Sequence, residues 1–411
     1  MKTAGIITEY NPFHNGHLYH IQKTRELTGA DFVIAVMSGD FVQRGAPALF
    51  DKYTRTEMAL RAGVDLALEL PSVFAVSSAE DFAAAGVALL DKLGIVDAIC
   101  FGSESGDIRA LSAVADILIR ESEKYTEEIQ FHLKNGTTFP KARSLAVNAC
   151  MGEGTGIGGL LDSPNNILGI EYLKAQKCRN SSMKAVTITR AGNGYHDEGM
   201  DGPFCSATAI RKVMASAKED GLQSVETAVP EFVFDLIRER CPVFPDDFSD
   251  ILNYVLLSSD RQGFRLDEYA DVSGDLAARL GRLTLDFLPF EERIAALKTR
   301  QYTYTRISRA LLHLILEIKT EELVKFRAMD YVPYARVLGF RRDSAAVMKE
   351  IKNLGSIPLI TKVADARQLL SGAEMELFEK DLFCSHLYQS VVQRKSGQRL
   401  KNEYTRGCVM I

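Results

Sequence analysis

Strand-like and helix-like segments alternate through the first hundred residues, and this alternation constrains the fold more than any other feature of the chain. Helical patterns separate short apolar runs typical of buried strands, which occur at 3–8, 32–37, 64–70 and 96–101, and a further run covers 184–189. Strands separated by helices predict a parallel sheet covered on both faces. Ligands bind beyond the carboxyl ends of the strands in such sheets. We therefore expect the functional residues in the loops that follow these strands.

The chain divides by composition into two predicted domains. A Rossmann-like α/β domain is expected over residues 1–235, with a helical insertion at about 107–160. A mostly helical, basic domain is expected over residues 246–411, after a linker that contains two prolines and an acidic pair. The last strand of the sheet is expected at 184–189.

Charge is distributed unevenly between the two parts of the chain. Residues 1–278 carry 26 basic and 39 acidic side chains, whereas residues 279–411 carry 23 basic and 15 acidic ones. A basic second part suggests contact with a polyanion, although a solvated charged surface would have the same composition.

The remaining composition excludes several classes of protein. Hydrophobic residues make up 46% and charged residues 25% of the chain, which is typical of a globular protein. No apolar run reaches the roughly 18 residues that a bilayer span requires, and Glu9 comes too early for a signal peptide. We therefore expect a cytoplasmic protein without a membrane partner. The seven scattered cysteines lack CxxC spacing and predict neither disulfides nor a zinc site.

The strongest local signal follows the first strand, where the sequence is Glu9-Tyr10-Asn11-Pro12-Phe13-His14-Asn15-Gly16-His17. Gly16 opens the next helix, so the first-turn amides and the positive end of the helix dipole face the space beyond the strand. His14 and His17 lie three residues apart, on the same side of that turn. Two imidazoles at a helix N-terminus suit phosphate oxygens whose charge rises in a transition state.

Two other interpretations of these histidines remain. His20 extends the series and would suit a metal, but no carboxylate or thiolate accompanies it at a fitting spacing, so no metal site is predicted. A purely structural role for the histidines is the second alternative.

A second signal, Cys205-Ser206-Ala207-Thr208-Ala209-Ile210-Arg211, follows the run at 184–189. Ser206 and Thr208 are expected to cap a helix and donate to phosphate, and Arg211 lies near the end of its first turn. An ordinary N-cap is the alternative for Ser206. Ser163-Pro164 predicts another helix start, with Ser163 as the cap.

Together these segments resemble the nucleotidyltransferase superfamily with the HxGH signature. Pro12 and the tetrapeptide that begins at His14 match that signature, and residues 205–211 resemble the superfamily's ISSTxxR motif, with Ala207 in place of its second serine. A narrower resemblance is to the bacterial tRNA(Met) cytidine acetate ligases, and it rests on residues 38–47, 52, 55, 69–71, 101–104, 163–172, 189–196 and 304–312.

This resemblance implies a nucleotidyltransferase fold and a two-step reaction. ATP and acetate would give acetyl adenylate and pyrophosphate, and the acetyl group would pass to N4 of the wobble cytidine of elongator methionine tRNA. ATP would be a substrate, accompanied by Mg²⁺ held mainly by phosphate oxygens and water, and no tightly bound cofactor is expected. The implied partners are acetate and the anticodon region of the tRNA, with no obligate protein partner.

The candidate catalytic residues are His14 and His17 at the α-phosphate, Lys52 and Arg55 for pyrophosphate, and Asp40 as the base for the cytidine amine. The alternative for Lys52 and Arg55 is a solvated helix face, and for Asp40 it is an Asx turn. Besides the two histidines, the expected ATP contacts are Ile7, Thr8, Glu9, Tyr10, Asn11, Pro12, Phe13, Asn15, Gly16, His20, Gly102, Asn165, Asn166, Arg190, Ala191, Ser206, Thr208 and Arg211.

The segment 298–309 contains basic residues and no acidic ones, and it is the candidate RNA contact. It places Tyr302 and Tyr304 among cations, and tyrosines offer stacking faces to unpaired bases. The expected tRNA contacts are Lys298, Arg300, Tyr304, Arg306 and Arg309. An exposed helix surface is the alternative here, and a second basic cluster at 394–406 is left without a role. His313, on an apolar helix face, is expected to be packed.

Two rival functions stay open at this point. One is a nucleotidyltransferase that keeps the nucleotide in its product, as in cofactor synthesis, and the basic C-terminal part argues against it. The other is a non-catalytic RNA-binding protein with a vestigial nucleotide site, which has little reason to keep both phosphate motifs. The G-x-G-x-x-G match at 154–159 lacks a preceding strand and predicts a loop rather than a dinucleotide site.

Overall fold

A mostly parallel sheet lies at the centre of the protein. The computed structural model describes residues 1–151, 159–190, 204–216, 223–263 and 265–411. Its strands are β1 (Thr3–Thr8), β2 (Phe32–Ser38), β3 (Phe41–Val42), β4 (Ala46–Pro47), β5 (Leu66–Leu70), β6 (Ala98–Ser103), β7 (Lys184–Thr189), β8 (Ala335–Phe340), β9 (Leu359–Ile360) and β10 (Val409–Met410). The main sheet has the order β10-β8-β5-β2-β1-β6-β7, with β9 beside β8, and β3 and β4 form a separate hairpin.

Helices connect these strands and form most of the C-terminal half. In the first half they are α1 (Asn15–Thr28), α2 (Lys52–Arg61), α3 (Ser72–Ala75), α4 (Ala79–Lys92), α5 (Ile108–Arg120), α6 (Glu123–Lys134), α7 (Phe139–Met151), α8 (Pro164–Cys178), α9 (Ala207–Ala215) and α10 (Glu231–Glu239). The second half contains α11 (Ser249–Gln262), α12 (Gly274–Arg282), α13 (Phe290–Leu297), α14 (Tyr304–Ile315), α15 (Thr320–Ala328), α16 (Ala345–Leu354), α17 (Ala366–Leu369) and α18 (Gly372–Ser396). No helix of the described ranges is long and apolar enough to cross a bilayer.

Alternation of apolar side chains along the strands builds a core on each face of the sheet. Ile6, Val33 and Met37 point to the face covered by α1 and α2. Ile7 and Val36 point to the opposite face, whose core continues without interruption into the C-terminal helices. The parallel α/β fold predicted from the alternation is therefore confirmed, together with a largely helical C-terminal region.

The run at 184–189 forms β7 at one edge of the sheet, but it is not the last of the sheet's strands in chain order, so that prediction is wrong. The strands β8, β9 and β10 join it from the C-terminal half, with β8 antiparallel to β5 and β10 parallel to β8. Pairing across about 270 residues is set by tertiary packing and leaves no signal in the local pattern of either strand. The sheet therefore contains strands from both predicted domains.

The order of the central strands creates the site. β1 pairs in parallel with β2 on one side and with β6 on the other, so the strand order reverses at its carboxyl end. Connections run away from this point in opposite directions and leave a crevice above it. The segment Glu9–His17 begins at this crevice.

Candidate active site

Two histidines at the N-terminus of α1 form the centre of the site. His14 is the N-cap of the helix, and its Nδ1 accepts a hydrogen bond from the Gly16 amide at 3.0 Å. His17 Nδ1 accepts in turn from the His14 amide at 3.2 Å. The imidazoles stack with their centroids 3.8 Å apart and their planes 28° apart. This reciprocal pattern is a capping box in which histidines stand where Ser and Glu usually do.

The capping bonds determine which nitrogen of each ring carries the proton. Because both Nδ1 atoms accept from backbone amides, the neutral rings must each be protonated at Nε2. Burial, together with the charges of Arg190 and Arg211, lowers the pKa of His14 to about 3. Burial, the neighbouring His14 and Arg190 also lower the pKa of His17 well below its usual value. Near neutral pH both rings are therefore neutral, and each carries its proton on Nε2.

Gly16 is required by this arrangement. A Cβ atom at position 16 would lie 2.8 Å from Cε1 of His14, closer than real Cβ contacts come. Any side chain there would push the imidazole out of its capping position. The close approach of His14 therefore requires glycine at position 16 of the signature, in addition to the place of this residue in the helix turn.

The two sequence motifs meet directly. Ser206 caps α9, because its Oγ accepts from the Ala209 amide at 3.1 Å. Arg211, one turn later, donates through Nη1 to the Asn11 carbonyl at 2.5 Å and through Nη2 to Thr208 Oγ1 at 3.1 Å. The helix α9 is thereby bound to the loop after β1, and Arg211 brings a half-buried positive charge beside the histidines.

Arg190 approaches the same histidines from the end of β7. Its side chain passes over Gly102, where an added Cβ would lie 3.3 Å from Arg190 Cγ, and its Nη1 donates to Asn165 Oδ1 at 3.2 Å. Burial lowers the pKa of Arg190, against the partly compensating charge of Glu104. A small residue at position 102 therefore leaves room for this guanidinium.

The start of α8 is capped differently from the prediction. Ser163 occupies the N-cap position, but its side chain makes no capping hydrogen bond. Glu104 takes that role from the end of β6, since its carboxylate accepts from the amides of Asn165 at 3.2 Å and Asn166 at 2.7 Å. A carboxylate at a helix N-terminus is favoured by the unpaired amides and the dipole. This cap crosses about 60 residues, so the local sequence pattern missed it.

Lys52 and Arg55 lie apart from the histidine pair. Both are completely buried, which excludes a solvated helix face. Arg55 donates to the carbonyls of Phe50, Glu9, Ser38 and Gly39. It therefore ties the ends of β1 and β2 to the start of α2.

Lys52 belongs to a buried ionic network. Its Nζ donates to Glu69 Oε1 at 2.7 Å and to Ser385 Oγ at 2.6 Å, and lies 3.3 Å from a Glu403 carboxylate oxygen. Arg336 forms ion pairs with the same two glutamates. The structure does not bring Lys52 or Arg55 together with His14 and His17.

Asp40 is also buried, at 2% exposure. Its Oδ1 accepts from the Lys52 amide at 2.7 Å, so it holds the start of α2 rather than forming an Asx turn. Burial raises the pKa of this carboxyl to about 6, against the opposing charge of Lys52.

The remaining expected nucleotide contacts surround the two histidines or support them. Tyr10 and Phe13 pack on His17, with ring centroids 5.0 and 5.5 Å from its own. Burial lowers the pKa of His20 to about 4. Asn11 Oδ1 accepts from the Leu49 amide at 2.7 Å. Ile7, Thr8, Glu9, Pro12 and Asn15 belong to the end of β1, the loop after it and the start of α1, and Ala191 lies outside the described residues.

The side chains of the candidate RNA segment make more contacts within the protein than the sequence predicted. Tyr302 is 7% exposed, bonds Ser273 through its hydroxyl, and is covered by Arg306. Arg309 pairs with Asp271 at 2.8 Å. Tyr304 is 40% exposed, and its hydroxyl donates to Glu291. Lys298 and Arg300 are exposed. His313 is fully buried between the carbonyls of Ala270 and Val76, so its predicted packing is confirmed.

Comparison with known proteins identifies the family. The family model described as HIGH Nucleotidyl Transferase matches residues 1–403. A tRNA(Met) cytidine acetate ligase of Thermoanaerobacter sp. (strain X514) is 42% identical over 401 residues, covering 96% of this chain and 97% of that protein. One from Acetivibrio thermocellus is 38% identical, with full coverage of both.

A solved structure agrees over the whole chain. The crystal structure of Thermotoga maritima TmcAL bound with alpha-thio ATP superposes with a TM-score of 0.91 at 32% identity, and each chain is covered completely. With matches of this extent in sequence and structure, the chain belongs to the HIGH nucleotidyl transferases and, among them, to the tRNA(Met) cytidine acetate ligase family.

Proposed function

We propose that this protein uses ATP to activate acetate as acetyl adenylate and transfers the acetyl group to N4 of the wobble cytidine in elongator methionine tRNA. The observation that carries the proposal is the pair of Nε2–H donors at the N-terminus of α1, flanked by Arg190 and Arg211. The names of the relatives, which are tRNA(Met) cytidine acetate ligases, support the choice of acetate and tRNA. The ATP analogue bound to the Thermotoga maritima protein supports the nucleotide.

In the first step an acetate oxygen attacks the α-phosphorus of ATP. A bond forms between them, the bond from the α-phosphorus to the bridging oxygen breaks, and pyrophosphate leaves. Negative charge rises on the α-phosphate oxygens, where the Nε2–H groups of His14 and His17 and the first amides of α1 are preorganised to donate. Arg190 and Arg211 offset the charge that develops on pyrophosphate.

In the second step the cytidine N4 attacks the acetyl carbonyl, and AMP and a proton leave. Asp40 is not assigned as the base, since its carboxylate is buried and holds the start of α2. It is a positioning residue in this proposal, as are Lys52 and Arg55.

Mg²⁺ would accompany ATP and neutralise phosphate charge. Within the described ranges no group of three or more His, Cys, Asp or Glu is arranged to hold a metal ion. In this proposal the ion is held mainly by phosphate oxygens and water. A tRNA substrate also agrees with the cytoplasmic location expected from the sequence.

The decisive experiment incubates the protein with ATP, tRNA and isotopically labelled acetate and analyses the tRNA nucleosides by mass spectrometry. Labelled N4-acetylcytidine from methionine tRNA is the expected result, together with release of AMP and pyrophosphate, and mass spectrometry of anticodon fragments should place it at the wobble position. Release of ADP and phosphate would contradict attack at the α-phosphate. Transfer of the nucleotide to a small molecule, without acetylcytidine, would support the cofactor-type nucleotidyltransferase instead.

A further inference from the structure

The β3–β4 hairpin lies between the nucleotide motif and α14. On one side, the Gln43 amide donates to Glu9 Oε1 at 2.9 Å, which fixes the hairpin to the segment that carries the histidines. On the other side, the Gly45 carbonyl accepts from Ser308 Oγ at 2.8 Å. Arg44 is the residue between these two anchors, in the turn of the hairpin.

The contact with α14 is too close for any residue other than glycine. Gly45 has a φ of +78°, and a Cβ atom there would lie 2.3 Å from the Arg309 amide nitrogen. The turn is therefore seated on the backbone of α14. Arg44 is half-buried in this position, and its place relative to both halves of the molecule is set by contacts on each side.

The arginines around the site act on the histidines and on one another. Arg190 and Arg211 lower the pKa of His14, so both guanidinium groups act on the histidine pair. After burial, the charge of Arg44 lowers the pKa of Arg211, which falls to about 10, and contributes to lowering that of Arg190. Arg44 therefore lies near these two arginines, on the side of the site where the hairpin meets α14.

Tyr304 gives the same side of the site an aromatic side chain. It stands in the first turn of α14, and its ring is 40% exposed. Tyr304 also acts on the pKa of Arg211, as one of the smaller influences after burial and Arg44. An exposed ring and a partly exposed guanidinium beside a nucleotide site suit an unpaired base and the phosphate next to it.

From this geometry we propose that Arg44 binds a backbone phosphate of the RNA substrate next to the nucleotide that is acetylated. The proposal rests on the proposed function, because the RNA must reach an adenylate held at His14 and His17. A nucleotide that enters the site from the side of α14 brings its neighbouring phosphate close to the turn of the β3–β4 hairpin. Arg44 thus acts on the RNA, whereas Arg190 and Arg211 act on the nucleotide.

The test compares Arg44→Gln and Arg44→Lys with the wild type in the full-length protein. Binding of methionine tRNA is measured by fluorescence anisotropy over a series of salt concentrations, and ATP binding is measured by calorimetry without tRNA. Arg44→Gln should weaken tRNA binding about tenfold and reduce the salt slope by about 0.7–0.9, the value for one neutralised phosphate. Arg44→Lys should keep the slope, because it keeps the charge. ATP affinity should be unchanged in both variants, which also shows that they are folded.

Arg120→Gln is the matched control, since Arg120 is exposed at the end of α5 and the charge change is the same. It should leave the tRNA affinity and the salt slope as in the wild type. Weakened ATP binding in Arg44→Gln would assign Arg44 to the nucleotide phosphates and overturn the proposal. Normal tRNA binding by Arg44→Gln would also overturn the proposal, whether or not the KM for acetate is raised. If the wild type makes acetylcytidine and Arg44→Gln binds tRNA normally, this inference alone fails; if the wild type neither binds nor acetylates tRNA, the proposed function fails with it.

Discussion

The backbone decides the protonation of the two histidines at the site. Each Nδ1 accepts from an amide of the helix start, so each neutral ring carries its proton on Nε2, and no side-chain partner is needed to select the tautomer. The two rings stack with their centroids 3.8 Å apart. Since burial keeps the rings neutral, the pair carries no full positive charge of its own near neutral pH.

Substituting His17 separates catalysis from folding. We expect His17→Gln to lower kcat by roughly 10²–10³, with a much smaller effect on ATP affinity, because a Gln amide held as the cap no longer places a donor at the position of the imidazole Nε2–H, which acts on charge that develops in the transition state. Gln at this position can still accept from the His14 amide, as in an ordinary capping box, so circular dichroism should stay native. His132→Ala, on α6, is the control. A rise in KM with unchanged kcat would show that His17 binds the substrate ground state and the transition state equally.

The buried carboxyl of Asp40 should make stability depend on pH. Its pKa is about 6 in the folded protein against an ordinary 3.8, so its contribution to stability is present in full below about pH 4 and is lost as the pH rises through 6. Asp40→Asn removes the buried charge and keeps the oxygen that accepts from the Lys52 amide. The variant should gain about 1–3 kcal/mol of unfolding free energy over the wild type at pH 8 and almost nothing at pH 4.

Urea unfolding at the two pH values measures this difference. Asp365→Asn, at an exposed position, is the control and should show no such pH dependence. Equal effects of Asp40→Asn at pH 4 and pH 8 would contradict a raised pKa of the Asp40 carboxyl.

At the level of elements, α14 contains two arginines with different roles. Arg306 is half-exposed and lies over the Tyr302 ring, with its guanidinium carbon 5.2 Å from the ring centroid. Arg309 is 13% exposed and donates twice to Asp271, whose pKa it lowers against the effect of burial. The helix therefore combines a cation available to an RNA phosphate with one that holds α14 to the loop before α12.

Single substitutions should distinguish the two arginines. Arg306→Ala should weaken tRNA binding and flatten its salt dependence by about 0.7–0.9 for each RNA phosphate that is no longer neutralised, with little change in the melting temperature. Arg309→Ala should instead destabilise the protein by about 1–3 kcal/mol, because it leaves the Asp271 carboxylate without its charged partner. Anisotropy titrations and thermal unfolding measure the two effects. Unchanged tRNA binding in folded Arg306→Ala would leave this face a solvated surface.

Across the whole molecule, a buried ionic network joins the C-terminal segment to the sheet. Lys52 on α2 and Arg336 on β8 share Glu69 on β5 and Glu403 near the C-terminus. Burial alone would raise the pKa of Glu403, but the two cations outweigh it and lower this pKa to about 2. The segment around Glu403 is thus held against α2 and β8.

Removing one partner of this network should be costly. We expect Glu403→Ala to destabilise the protein by about 3–5 kcal/mol, since two buried cations would then share a single carboxylate. Glu379→Ala, at an exposed position on α18, should change stability by less than about 0.5 kcal/mol. Denaturant unfolding of both variants measures the difference. A decrease in stability from Glu403→Ala as small as that of the control would mean that the network adds no net stability.

Features that are encoded over a few residues could be predicted from the sequence alone. Apolar runs and the helices between them predicted the parallel sheet, and the spacing of His14, Gly16 and His17 predicted their common turn. Ser206 was predicted as a cap and is one. These features depend on periodicity, on steric limits and on hydrogen bonds within one helix turn, so the order of residue types is enough to indicate them.

Contacts between distant side chains could not be predicted from the sequence. Arg211 bonds the Asn11 carbonyl 200 residues away, and Lys52 bonds Ser385 across 333 residues. From the sequence, phosphate contacts were expected for Lys52 and Arg55. The fold instead buries both side chains among distant partners. Strand-like patterns occur at 335–340 and 357–361, but nothing in them indicates that β8 pairs with β5. Such contacts are selected by the total burial and pairing of the folded chain, and no local pattern records a partner that packing brings from the far end of the sequence.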